Sequence, residues 1–191
     1  MSRRRLTLFL FAAIVTAFLL NDRRFGAAPV STGAETQIPA IEGIYRQRHE
    51  VRSVDGPSET AEDVVEIARY DPTHVFVRIV TRFDVGHSCG ASGIATFEND
   101  VFVYRTREWL RDDEPTCTLR FETSGDELRI TDRLGPNNSA TCRTLCGARG
   151  SLSDVAVSRT TRRPIADIAS LKASAEYVAA VNEFNAQTKS R

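Results

Sequence analysis

Cys117-Thr118-Leu119-Arg120-Phe121-Glu122-Thr123-Ser124-Gly125-Asp126-Glu127-Leu128-Arg129-Ile130-Thr131 decides the fold class. Cys117, Leu119 and Phe121 alternate with Thr118, Arg120 and Glu122, and then Leu128 and Ile130 alternate with Glu127, Arg129 and Thr131. A period of two puts the apolar members on one face of an extended chain, as in a half-buried strand. Ser124-Gly125 between the two runs supplies a tight turn, so the stretch reads as a β-hairpin.

The same period runs through most of the chain from Glu42 onward. In 43–51, Tyr45, Gln47, His49 and Val51 share a face. Segments 62–70 and 73–83 form a hairpin joined at Asp71-Pro72, where proline presets the turn torsion; Val75, Val77, Ile79 and Phe83 point one way, Arg78 and Arg82 the other. Segments 93–97 and 101–105 flank Asn99-Asp100, residues that tolerate the left-handed torsions of a two-residue hairpin. About seven to eight short strands in hairpin succession predict a mainly β fold, a small antiparallel meander or barrel, with a sandwich as the alternative. After Arg163 the period changes. Ile168, Leu171, Ala175, Val178 and Val181 recur at helical spacing, which predicts a C-terminal amphipathic α-helix over 164–188 with its stripe on the barrel or across one mouth.

Residues 1–26 have a different character. Arg3, Arg4 and Arg5 precede an apolar run, 6–20, whose polar members are Thr7 and Thr16, and Arg23 and Arg24 follow it. A basic head before an apolar run is the layout of a secretory signal, and Ser2-Arg3-Arg4-Arg5-Leu6 resembles a twin-arginine export signal. As a helix the run spans about 22 Å against a hydrocarbon core of roughly 30 Å, which favours a cleaved signal peptide. The flanking arginines and the lack of a nearby Ala-x-Ala site keep an uncleaved N-terminal membrane anchor as the alternative. The expectation is a periplasmic or secreted body, or one anchored in the inner membrane and facing the periplasm. Segment 27–41, rich in Ala, Thr, Ser, Gly and Pro, reads as a flexible linker. A disulfide-stapled β-domain is expected over 42–163. Without 1–26 the chain keeps 20 basic and 24 acidic residues, a net charge of −4, which argues against nucleic acid as a partner and permits a basic protein.

The cysteines are Cys89, Cys117, Cys142 and Cys146. In an exported chain they read as disulfides, and four cysteines allow three pairings. Cys142 and Cys146 could bridge each other, or each could tie the 134–141 region back to Cys89 and Cys117. Two long-range bridges are favoured, because closing a larger unfolded loop stabilises more in the chain-entropy model. A zinc site would need His87 and the thiolates of Cys89, Cys142 and Cys146, which export disfavours. Cys-x-x-x-Cys is also not the Cys-x-x-Cys spacing of oxidoreductases. No metal and no cofactor is expected.

Gly86-His87-Ser88-Cys89-Gly90-Ala91-Ser92-Gly93-Ile94-Ala95, the Phe-Val-Tyr-Arg strand, Cys117-Thr118-Leu119 and the block Cys142-Arg143-Thr144-Leu145-Cys146-Gly147-Ala148-Arg149-Gly150-Ser151-Leu152 resemble a family of exported proteobacterial proteins over about 42–180. Their layout is similar to the β-domains of periplasmic lysozyme-inhibitor-like proteins. That resemblance implies a binding or inhibitory module whose partner is a lysozyme or other cell-wall lytic enzyme. The Ser-Gly and Lys-bearing loop motif of the membrane-bound lysozyme inhibitors is not found here, so their inhibitory residues do not carry over.

The residues themselves offer no complete nucleophilic triad, phosphate loop or zinc signature, and the chain is expected not to be an enzyme. His87, in a Gly-rich loop between Asp84 and Cys89, could present a general base or hydrogen-bond the loop backbone. Arg149, between Gly147 and Gly150, suits a carboxylate or phosphate or braces its own loop. Trp109 sits beside the acidic run Asp112-Asp113-Glu114. His87, Trp109 and Arg149 are therefore the expected binding residues, on loops at one end of the barrel. His74 reads as a structural or exposed histidine, Arg159, Arg162 and Arg163 as a solvated basic cluster or an anion site, and Asn137-Asn138-Ser139 as a turn. The alternatives to a binding module are a barrel that carries a small ligand and an envelope structural protein without catalysis.

Overall fold

The computed structural model describes residues 33–106 and 116–189. The signal or anchor read at 1–26, the start of the linker, Trp109 and the acidic run at 112–114 lie outside the described residues. Eight strands follow the order of the chain in one antiparallel sheet: β1 (Gly43–Val51), β2 (Glu59–Arg69), β3 (His74–Arg82), β4 (Ser88–Glu98), β5 (Val101–Arg105), β6 (Thr118–Ser124), β7 (Glu127–Thr131) and β8 (Val155–Ser158). The sheet curls into a nearly closed barrel, so the sandwich alternative falls. Ile44 and Arg163 make the seam by exchanging two backbone hydrogen bonds of 2.8 Å.

Turn chemistry sets the register. Asn99 and Asp100 both take positive φ, 47° and 67°, the torsions of a type I′ turn that matches strand twist. Asn137 and Asn138 likewise turn through φ 55° and 60°, as read. The expected loop before residue 93 is instead strand: β4 starts at Ser88 and pairs with β3 from Arg82↔Ser88 to His74↔Thr96. Glycine and small residues gave that stretch weak strand propensity, and pairing with β3 overrides it.

The inner face is solid. Tyr45, Val65, Ile67, Val77, Ile79, Phe102, Tyr104, Leu119, Phe121, Leu128 and Ile130 form one buried cluster. The outer face of β2 to β4 carries a second cluster, Ala68, Phe76 and Ile94, covered by helix residues. Here the single expected helix is corrected: it is two, α2 (Ile168–Ala173) and α3 (Ala175–Lys189). Ser174 takes extended torsions between them, and its hydroxyl accepts from the Tyr177 N–H at 3.2 Å. The break changes the phase of the stripe. Leu171, Tyr177 and Ala180 are buried while Val178 and Ile168 remain 47% and 43% exposed, and Phe76 meets Tyr177 at 4.9 Å between ring centroids.

The flexible-linker reading is also corrected. Gly33–Ile41 is a helix, α1, with Ala34, Ile38 and Ile41 buried, and Ile38 and Ile41 join the barrel core. Burying an isoleucine contributes roughly 1.5–3 kcal/mol, which orders a segment whose composition looked loose. The C-terminal carbonyls of α1 have dedicated donors. The Tyr45 hydroxyl donates to Ile41 O at 2.7 Å, and one Arg162 nitrogen donates to Pro39 O and Ala40 O at 2.9 and 2.7 Å. Arg159 donates to Gly125 O at 3.0 Å. Part of the basic cluster is thus a helix C-cap, where cations are favoured by the exposed carbonyls. Arg162→Ala is expected to cost about 1–2 kcal/mol and to speed amide exchange at 38–44 before the rest of the barrel. A urea midpoint and exchange profile equal to wild type would remove this capping role.

Candidate functional site

At the barrel end opposite α1, the long connection from β7 to β8 folds over the mouth and is held by both disulfides. Cys89 bridges Cys146, 57 residues away, and Cys117 bridges Cys142, 25 residues away. The two long-range bridges favoured from sequence are the ones formed. All four sulfurs are used, so no thiolate remains for the zinc reading. Such bridges belong to an oxidising, non-cytoplasmic compartment. No helix among the described residues is long and apolar enough to cross a membrane.

Asp132 anchors this cap from below. It is 1% exposed; one carboxylate oxygen accepts the Cys142 N–H at 3.0 Å and the other accepts the Ser153 hydroxyl. Leu152 beside it is fully buried. Sequence reasoning did not single Asp132 out, although the period of two through Leu128 and Ile130 places it on the inward face, where an acid needs donors.

The bridge of Cys146 to Cys89 carries residues 146–150 against the β3–β4 turn, with Gly147 N–H donating to Ser88 O at 2.9 Å. Gly147 has no side chain because a Cβ there would sit 2.9 Å from His87 Nδ1. A Cβ on Gly150 would sit 2.7 Å from the Cys89 sulfur. The Cys-Gly-Ala-Arg-Gly motif is thus the contact surface of a loop clamped onto the turn that bears His87.

Two of the three expected binding residues meet here. His87 is partly exposed on the turn, and Arg149 is exposed on the clamped loop. Asp84 opens the turn that ends at His87. Its carboxyl accepts the Arg52 N–H at 2.8 Å and the Arg52 side chain at 2.7 Å. Those bonds, with the Arg149 charge beyond them, hold it below the ordinary carboxylate range. The turn itself is strained: Val85 has φ 55°, a left-handed torsion rare for a β-branched residue, and its N–H donates to Arg52 O at 2.7 Å. Asp84 is engaged by Arg52 and not by His87, and among the described residues the His87 ring makes no hydrogen bond. Among the described residues the backbone bond expected of His87 is therefore not made, and no carboxylate there orients its ring.

The other histidines are occupied. His49 Nε2 lies 3.0 Å from Arg82 O, near Asp63, whose carboxyl burial pushes up despite the Arg82 N–H and His49. His74 Nδ1 lies 2.8 Å from Asp71, with Phe184 at 4.8 Å from its ring, the structural role read from sequence. What the arrangement offers is a rigid rim of His87, Arg52 and Arg149 over a filled barrel, suited to contact rather than to enclosing a ligand. No family model matches the chain, and no curated protein or solved structure matches it.

Proposed function

We propose that this protein is an exported, periplasmic binding module that engages a partner protein through the disulfide-clamped rim around His87 and Arg149. A cell-wall lytic enzyme of the lysozyme type, which it would inhibit by contact, is the leading partner. The observation that carries the reading is the Cys89–Cys146 bridge. It fixes two loops distant in sequence into one rim, so that little conformational freedom is lost on binding. A carrier would need interior room, and Tyr45, Phe102 and Phe121 occupy the barrel.

The test is capture of lysozyme and periplasmic lytic enzymes by the full oxidised chain, beside a reduced and alkylated control. Selective capture by the oxidised form is expected. Arg149→Glu and His87→Ala should each weaken it about tenfold, or about 1.4 kcal/mol, without moving the thermal midpoint. Equal capture by the reduced control, or none by either form, would overturn the reading.

A further inference from the structure

The rim continues past His87 into a groove of about 720 Å³ on the outer face of β1 to β3. Val64 and Val80, paired across β2 and β3, form its half-buried floor, and Val54, 68% exposed, stands on its lip. The walls are guanidinium groups. Arg78 donates to Glu66 at 2.6 Å, while Arg46 and Arg48 both donate to the single carboxyl of Glu62. Arg82 is exposed, and among the described residues its guanidinium has no carboxylate partner. Along this face Arg46, Arg48, Arg78 and Arg82 thus stand against the partner carboxylates of Glu62 and Glu66, an excess of cations. Glu59 also lines the groove, at the β1–β2 hairpin on the same barrel end as His87.

An apolar floor between guanidinium forks suits a chain that presents apolar and anionic groups alternately. Arginine binds a carboxylate through two parallel N–H bonds, with geometry as well as charge, and an extended segment repeats its side chains every second residue, as the sheet does. We propose that this groove takes an extended segment of the partner protein in which acidic and apolar side chains alternate, a carboxylate seated on Arg82 and apolar groups on Val64, Val80 and Val54. The inference rests on the binding-module reading and narrows the partner's chemistry.

Three blocked eight-residue peptides test it by fluorescence anisotropy on the full oxidised chain: alternating glutamate and valine, glutamine and valine, and lysine and valine. The glutamate peptide is expected to bind about tenfold or more tightly than either of the others, consistent with a charge-assisted pair, and to weaken as salt rises. Arg82→Glu and Arg82→Gln should remove the preference, and Val64→Ser should weaken binding of the glutamate and glutamine peptides alike. Arg143→Glu, on the cap away from the groove, should leave it unchanged. Equal binding of the lysine peptide, or an unchanged preference in both Arg82 variants, overturns the proposal. Capture of a lytic enzyme through His87 and Arg149 without a glutamate preference sinks the groove alone. A preference without capture sinks the lytic partner and leaves the groove standing.

Discussion

The double variant Cys89→Ser/Cys146→Ser is expected to lose about 4 kcal/mol of unfolding free energy, from the closure entropy of its loop. Domains of this size hold about 5–15 kcal/mol in all, so the variant should be near the edge of folding at 37 °C. Cys117→Ser/Cys142→Ser, closing a shorter loop, should lose about 3.5 kcal/mol on the same argument. The two variants differ more in where they loosen. Without Cys89–Cys146 the Gly147 N–H to Ser88 bond should exchange rapidly, while the β6–β7 hairpin keeps its protection. Urea titration by circular dichroism, with exchange at Gly147, checks both. A larger loss from the 117–142 pair would show that packing around Cys142, which is fully buried, outweighs loop entropy.

Gly93→Ala should cost about 3 kcal/mol through overpacking. Gly93 faces inward on β4, and a Cβ there would fall inside the Tyr104 ring, with Cζ 2.6 Å away. Tyr104 is 5% exposed within the core cluster. Its burial, with Glu183 nearby, pushes the phenol well above its ordinary pKa. The ring has no solvent to swing into, and it covers the bare backbone of a strand glycine that would otherwise weaken the sheet. Pairing the change with Tyr104→Leu should recover part of the loss, because residues in contact couple. If the two single losses simply add in the double variant, the ring is not what Gly93 accommodates.

The barrel was legible because β6 and β7, the start of β1 and the second half of β3 bury alternate residues, and that period of two survives in the sequence. Asn99-Asp100 announced its turn for the same local reason. Gly33–Ile41 was not legible, since its order comes from burial in a core assembled by residues far along the chain, and from Arg162, which its own composition cannot reveal. Ser174 hid the helix break because serine is unremarkable inside a helical pattern until its hydroxyl caps the next turn. At the rim, the glycines and cysteines of 142–150 pointed to a clamped loop and to Arg149. The engagement of Asp84 by Arg52 joins residues from two loops that no local pattern relates.

The capping of α1 by Arg162 also orders events in time. Each strand pairs with its immediate successor in the chain, so hairpins can form one after another as the polypeptide emerges, the loops from β1 to β5 being short and the β7–β8 connection the long one. The opening segment obeys a different clock. Pro39 O, Ala40 O and Ile44 wait for Arg162 and Arg163, so residues 33–44 stay unfinished until position 163 arrives. A nascent chain arrested before Arg159 should therefore hold most of its hairpins and still expose Ile38 and Ile41, a greasy handle for chaperones that vanishes when the last arginines are delivered.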